Sequence, residues 1–203
     1  MEMGGRLFWI LAIIIVLFVL FYPKEEKFNG LNSDINKSSE NSGVQIGGHF
    51  TLTDQNGKVF DSHQAKTPLK IVFFGFTYCP EICPTDLNNI SEALNELGNK
   101  AKFITPIFIS VDPKRDTHTQ LKSYIEAFHP SFVALTGEFK KIHQVKNQYK
   151  VYSAEREDPD SSEYTVDHSS FIYILDDNYG YLSHMGHDSS SKQIVKKLES
   201  YIK

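Results

Sequence analysis

The stretch that decides the fold is residues 69–87, LKIVFFGFTYCPEICPTDL. Its first part, residues 69–76, is a largely apolar run, which is typical of a central strand of a mostly parallel sheet, buried on both faces. Pro84 opens a segment whose apolar residues recur at helical spacing. Proline suits the first position of a helix because its missing N–H would have no partner there. The sequence therefore predicts a buried strand that passes through a short loop into a helix.

The only two cysteines of the 203-residue chain, Cys79 and Cys83, lie in this loop. Two cysteines cannot staple a domain of this size, so a disulfide framework is excluded and a local thiol function is the better explanation. Unpaired backbone N–H groups and the positive dipole end of a helix N-terminus favour a thiolate. We therefore expect at least one of the two cysteines to ionise more readily than a free thiol.

The spacing of the two cysteines favours metal binding over dithiol redox chemistry alone. Positions four apart on a regular helix have Cβ atoms ~5–6 Å apart. A disulfide requires about 3.8 Å between Cβ atoms, whereas a metal bridging two thiolates tolerates the wider gap. Pro80 leaves the local geometry open. Soft thiolates select Cu(I), and an added imidazole makes Cu(II) tolerable.

Composition and charge argue against a nucleic-acid partner. The formal net charge is -4, the isoelectric point is about 6.1, and no run of like charges suggests a tail that binds polyanions. Once a leader and a linker are set aside, roughly 155 residues remain, which is enough for a single domain with a proper core.

The chain divides into three predicted regions. Residues 1–24 contain an uncharged apolar run at positions 7–22, which we predict to be a retained single-pass membrane anchor. A cleaved signal peptide is the alternative, but the run is longer than a usual signal-peptide core and no small-x-small site follows it. Residues 25–47 have a composition typical of a flexible linker, and residues 48–203 form the folded domain. The usual orientation of such leaders places this domain on the periplasmic, or mitochondrial intermembrane-space, side of the membrane.

Periodicity and turn signals predict the remaining elements. An Asn-Gly turn at positions 56–57 predicts an opening β-hairpin. The other predicted elements are strands over 103–111, 132–135, 166–175 and 181–184, helices over 117–128 and 139–149, a closing helix through Ile194, Leu198 and Ile202, and an acidic surface loop over 155–163. This order predicts an α/β, thioredoxin-like fold with a leading β-hairpin and an internal insertion.

Three motifs in the chain carry a resemblance. They read FTYCPEICP at 76–84, FISVDPKRDT at 108–117 and YTVDHS at 164–169. In this order they resemble the Sco/SenC family of membrane-anchored, thioredoxin-like copper proteins that assemble the Cu(A) centre of cytochrome c oxidase. The resemblance implies that Cys79 and Cys83 are the copper thiolates and that His168 is the third ligand. It also places Asp112 where the family has an acidic residue near the site.

The resemblance implies a copper chaperone that carries Cu(I) or Cu(II). Its implied partners are the membrane, a copper donor protein and subunit II of cytochrome c oxidase. The alternative is a thiol-disulfide oxidoreductase, in which Cys79 and Cys83 reduce the cysteines of oxidase subunit II or another client through a mixed disulfide. The spacing of the cysteines and the presence of His168 favour the chaperone, and the two activities are compatible as stages of one task. A peroxiredoxin is not supported, because no Pro-x-x-x-Thr-x-x-Cys arrangement precedes either cysteine.

Four candidate residues also have ordinary structural interpretations. His168 lies near the start of the predicted strand over 166–175, and a histidine in such a place is often an ordinary hydrogen-bonded edge residue. The chain lacks here the proline that thioredoxins place opposite their cysteines, so an imidazole can occupy that space. Asp112 is followed by proline, which is common turn chemistry after a strand, and its role stays open. His184 and His187 flank Met185-Gly186 and form either a second copper patch or, as we expect, a solvated loop.

Overall fold

The computed structural model describes residues 45–157 and 164–202. The predicted anchor, residues 1–24, and most of the predicted linker, residues 25–47, lie outside these ranges. Within the described ranges, no helix has the length and apolarity needed to cross a membrane. The division into anchor, linker and domain therefore stays a prediction.

The described residues form nine strands and four α-helices. The strands are β1 Thr51–Asp54, β2 Val59–Asp61, β3 Leu69–Gly75, β4 Ile104–Ser110, β5 Val133–Thr136, β6 Ser153–Glu157, β7 Tyr164–His168, β8 Ile172–Leu175 and β9 Tyr181–Met185. The helices are α1 Ile82–Leu97, α2 His118–Ile125, α3 Phe139–Tyr149 and α4 Ser191–Glu199, with short 3-10 segments at Ser62–Gln64 and Gly98–Phe103.

Seven of these strands form one sheet in the order β2-β1-β5-β4-β3-β8-β9. Strand β3 lies between β4, to which it is parallel, and β8, to which it is antiparallel. Every residue of β3 is buried, as expected for a strand covered on both faces. Its one charged residue, Lys70, donates from Nζ to the carbonyl oxygens of Thr67 and Asp177. The predicted central strand is confirmed, and its apolar side chains belong to the hydrophobic core of the domain.

The leading hairpin is also confirmed. β1 and β2 pair in antiparallel register, and β1 then joins the edge of β5. Gly57 adopts a φ of +75°, which a residue with a Cβ rarely does. Asp54 Oδ1 accepts hydrogen bonds from the backbone N–H groups of Asn56 and Lys58 and closes the turn.

The starts of α1 and α2 lie within two residues of the prediction. α1 begins at Ile82, two residues before Pro84. Pro84 is tolerated there because the first four N–H groups of a helix have no intrahelical acceptor. α2 is capped by Thr117, whose Oγ1 accepts from the N–H of Gln120 at 3.2 Å. The predicted bounds of α3, residues 139–149, are confirmed.

Two predictions about residues 153–175 are wrong. The predicted acidic loop over 155–163 begins within strand β6, which pairs with β7 in a separate two-stranded sheet, here called the β6–β7 ribbon. The single strand predicted over 166–175 is two strands, β7 and β8, that belong to different sheets. β6 is polar and largely exposed, so its backbone pairing leaves no hydrophobic periodicity that reveals a strand.

Candidate metal centre

The fold brings the three predicted ligands, Cys79, Cys83 and His168, together. Cys79 lies in the turn between β3 and α1, Cys83 is the second residue of α1, and His168 ends β7. Their ligand atoms all lie within 4.8 Å of one another, and Cys83 Sγ is 3.5 Å from His168 Nε2. In the part of the chain that the structure describes, no other cluster of three or more His, Cys, Asp or Glu side chains has this geometry.

The turn after β3 places the two thiols side by side. The N–H of Cys79 donates to the carbonyl oxygen of Phe76 at 3.2 Å. The N–H of Cys83 donates to Cys79 Sγ at 3.4 Å, so the Cys79 sulfur accepts from an N–H group in the first turn of the helix. The spacing of a regular helix therefore does not apply to this pair, because Cys79 precedes the helix and Glu81 is the residue at its N-cap position.

Gly75, the last residue of β3, makes room for Cys83. A Cβ at this position would lie 2.7 Å from Cys83 Sγ and 2.9 Å from Phe108 Cε2. Any side chain here would displace the thiol from the end of the strand. Sequence reasoning did not single out Gly75, although a glycine inside an apolar strand is a known sign of close approach by another group.

The two thiols have opposite protonation tendencies. The pKa of Cys79 is lowered from 9.0 to about 4, chiefly by a hydrogen bond from the Cys83 thiol, and further by the backbone N–H groups of Cys83 and Glu81. Burial of Cys79 acts in the opposite direction. The pKa of Cys83 is raised, because its thiol donates to Cys79 and is fully buried. The pair therefore favours a partly exposed thiolate at Cys79 and a buried thiol at Cys83. At least one cysteine thus ionises more readily than a free thiol, as expected, and the chief cause is the neighbouring thiol.

The imidazole of His168 is oriented by its neighbours. Its Nδ1 lies 3.1 Å from the carbonyl oxygen of Ser169, which assigns the N–H to Nδ1 and leaves the Nε2 lone pair facing Cys83 Sγ. The rings of Phe73 and Phe76 pack edge-on against it, with centroids at 6.4 and 5.8 Å. A carbonyl that holds the second nitrogen of a histidine is the usual support of a metal ligand.

A cleft of about 300 Å³ leads to this site. Cys79 and His168 line it together with the apolar side chains of Phe76 and Ile82. Cys83 lies beneath, fully buried. A metal ion or the thiol of a partner can therefore reach the Cys79 side of the group, while Cys83 stays covered.

Comparison with known proteins agrees with this geometry. A family model described as SCO1/SenC matches residues 38–203, which include all three side chains of the group. The chain belongs to the SCO1/SenC family. A SCO2-like protein of Rickettsia felis is 48% identical over 158 residues, which cover 77% of this chain and 77% of that protein.

Solved SCO1/SenC structures share the fold. The structure described as Bradyrhizobium japonicum ScoI with copper bound has a TM-score of 0.71 and 38% identity, covering 77% of this chain and 99% of that one. Yeast Sco1 with copper bound has a TM-score of 0.71 and 34% identity, covering 78% and 88%. The fold is thus the mixed α/β, thioredoxin-like fold of Sco proteins, in line with the predicted class.

The acidic residues of the second SCO1/SenC motif support the site without joining the ligand group. Asp112 accepts from Arg115 Nε at 2.6 Å and from the hydroxyl of Tyr164 at 2.8 Å. Asp116 accepts from Ser110 Oγ at 2.6 Å and from Thr77 Oγ1 at 2.7 Å. Asp116 therefore ties the end of β4 to the loop that carries Cys79, a role that sequence reasoning missed.

Within the described residues, His184 and His187 do not combine with a third metal-ligating side chain to form a second cluster. His184 Nδ1 is hydrogen-bonded to the hydroxyl of Tyr181, and its ring packs against Phe171 with centroids 5.0 Å apart. His187 is exposed. The expected solvated loop is therefore wrong for His184, which lies in β9, and it holds for His187, which follows the strand in an exposed turn.

Asp86 is a further residue that sequence reasoning missed. It lies on the buried face of α1, one turn after Cys83, and neither carboxylate oxygen has a hydrogen-bond partner among the described residues. Burial raises its pKa to about 7, and the charges of Cys79 and Asp188 act in the same direction. The available signal was a charged residue at an inward position between Cys83 and Leu87.

Proposed function

We propose that this SCO1/SenC protein binds copper through Cys79, Cys83 and His168 and helps to assemble the Cu(A) centre of cytochrome c oxidase. The observation that carries the proposal is the convergence of two sulfur atoms and one imidazole nitrogen within 4.8 Å. Family membership supports it, as do the ScoI and Sco1 structures that are described as containing copper.

The donor set suits copper in both oxidation states. Cu(I) is satisfied by two soft thiolates, and Cu(II) prefers added nitrogen donors, which His168 supplies. A structural zinc site usually has four protein ligands, whereas this cluster has three. Cys83 must lose its proton when the metal binds, because its pKa is raised in the metal-free protein. The cleft beside Cys79 then gives a partner's thiol access to the bound cargo.

The proposed cellular setting follows from the predicted regions. Residues 1–24 anchor the protein by a single span, and residues 25–47 tether the domain formed by residues 48–203. The domain lies on the periplasmic, or intermembrane-space, side of the membrane. Its partners are a copper donor protein and oxidase subunit II. The apolar run at positions 7–22 and the family resemblance support this setting.

A second candidate function, thiol-disulfide exchange, is favoured by the low pKa of Cys79. The Cys79 thiolate attacks one sulfur of a client disulfide, forms a mixed disulfide and releases the first client thiolate. Cys83 then loses its proton and attacks Cys79 Sγ, which releases the second client thiolate. The client gains two electrons, and Cys79 and Cys83 end as a disulfide. Both functions use the same two thiols, so they are compatible.

Metal analysis of the full chain tests the copper proposal. We expect about one copper per chain after loading with Cu(I) under reducing conditions. Cys79→Ser should lose nearly all of it, while the control Thr165→Ser, a change elsewhere in the cleft lining, should retain it. In cells that lack the protein, the wild type should restore the Cu(A) absorption of the oxidase and Cys79→Ser should not. Copper retained by Cys79→Ser would place the site elsewhere.

A further inference from the structure

Arg115 lies at the junction between the β6–β7 ribbon and the loop that carries Cys79. Its side chain is only 13% exposed. Towards the ribbon, its Nη1 donates to the carbonyl oxygen of Tyr164 at 2.8 Å, and its guanidinium carbon lies 3.7 Å from the centroid of the Tyr164 ring. The carboxylate of Asp112 accepts hydrogen bonds from both Arg115 and Tyr164 and so links these two side chains. Arg115 therefore holds the first residue of β7, the strand that ends in His168.

The same guanidinium group contacts the thiol side of the site. It lies over the ring of Tyr78, 4.6 Å from the centroid, and over that of Phe76 at 5.9 Å. Cations over aromatic faces are attracted by the ring quadrupole. Tyr78 immediately precedes Cys79, and Phe76 packs edge-on against the imidazole of His168. Arg115 thus contacts both the residues next to the thiol ligands and the strand that carries His168.

The ribbon depends on such contacts for its position. β6 and β7 form a sheet separate from the seven-stranded sheet, and an isolated pair of strands is only marginally stable. Val166 buries its side chain in the core, but apolar burial is non-directional. The hydrogen bonds and the planar stacking of Arg115 are directional, so they set the placement of β7 relative to the two thiols.

We propose that Arg115 is a positioning residue for the third ligand: it holds β7 so that His168 faces the thiols of Cys79 and Cys83. The inference rests on the proposed copper function and deepens it. The two thiols lie outside β7, so loss of the Arg115 contacts affects chiefly the oxidation state that needs the imidazole.

Arg115→Lys in the full chain tests this role, with Arg156→Lys as the matched control. Lysine keeps the positive charge beside Asp112 but lacks the planar group that stacks on the rings and reaches the Tyr164 carbonyl. Arg156 lies on β6 of the same ribbon and pairs with Asp167 at 3.2 Å, but its side chain is 62% exposed, where ion pairs contribute little. The measurements are Cu(I) and Cu(II) affinities, and hydrogen-deuterium exchange of the ribbon amides in the metal-free protein.

We expect Arg115→Lys to lower Cu(II) affinity ~10–100-fold, as loss of an outer-shell support does, with little change in Cu(I) affinity. Exchange of the β7 amides should accelerate while that of β3 stays constant, and Arg156→Lys should match the wild type in all three measurements. Wild-type Cu(II) affinity in Arg115→Lys, or an equal fall for both oxidation states, would overturn the inference. If the wild type binds no copper, the proposed function fails by itself. The exchange of β7 then decides the positioning role, and unchanged exchange in Arg115→Lys overturns it.

Discussion

The two halves of the candidate metal centre are built in different ways. Cys79 and Cys83 are four residues apart in one turn, between the fully buried strand β3 and the start of α1. His168 is 85 residues from Cys83 along the chain and lies on a two-stranded sheet of its own. The thiol half therefore depends on local structure and a buried strand. The imidazole half depends on contacts between distant segments.

This difference suggests that the two halves respond separately to mutation. The thiol pair satisfies Cu(I) without help, whereas Cu(II) also needs the imidazole. Changes near β3 should therefore affect both oxidation states, and changes on the ribbon should affect mainly Cu(II). The predictions below test that separation from the largest expected effect to the smallest.

Removal of one thiol should have the largest effect. Cys83→Ser leaves a single sulfur donor, so we expect Cu(I) affinity to fall by more than the ~10–100-fold that is typical of an outer-shell change. Cu(II) binding should be lost as well. Competition with a chelator of known affinity measures both. Near-wild-type Cu(I) affinity would show that the thiol half is not the site.

An added methyl group at Gly75 should weaken the thiol half without removing a ligand. Gly75→Ala places a Cβ 2.7 Å from Cys83 Sγ, and such overpacking costs ~1–3 kcal/mol in the free energy of unfolding. We expect lower stability in urea titration and lower affinity for both oxidation states. Gly137→Ala is the control, because its Cβ would meet only Leu52, at 3.3 Å. Equal behaviour of the two variants would contradict the close approach of Cys83 to β3.

The low pKa of Cys79 should make its contribution to stability depend on pH. Its folded pKa, about 4, lies below the ordinary value of 9.0, so the unfolded chain binds the extra proton between these values. The stabilising contribution is complete above about pH 9 and is lost as the pH falls towards 4. The difference in unfolding free energy between wild type and Cys79→Ser, both reduced and metal-free, should be larger at pH 8 than at pH 5. For Ser170→Ala, which removes no ionisable group, the difference should be the same at both values. A difference that does not change with pH for Cys79→Ser would contradict the thiolate assignment.

The separation of the two halves also explains what the sequence could predict. β3 and its helix follow from local periodicity and a helix start, and the structure shows both. The lowered pKa of Cys79 agrees with the expected readily ionised thiol, but its chief cause is the hydrogen bond from the Cys83 thiol. His168 was found through a motif, not through its surroundings. The ribbon was missed because β6 is polar and exposed, so its pairing leaves no periodic signal. The supports supplied by Gly75 and Asp116 are contacts across strands, which spacing along one segment does not reveal.

The smallest effect is expected from removal of the predicted anchor and most of the linker. A fragment that starts at about Gly43 should fold and bind one copper with the affinity of the full chain, because the ligand group and its supports lie within the folded domain. Circular dichroism and metal analysis check this. A fragment that is unfolded or binds no copper would show that the first 42 residues do more than tether the domain.

The most direct test of the two-part centre is titration of His168→Ala with each oxidation state of copper, beside the wild type and with thiol-disulfide exchange measured in parallel. We expect the variant to take up Cu(I) much as the wild type does and to lose the visible thiolate-to-Cu(II) absorption, because only Cu(II) needs the nitrogen donor. Unchanged Cu(II) binding with a lower exchange rate would contradict this account. His168 would then tune the thiols instead of binding the metal, and thiol-disulfide exchange would become the leading function.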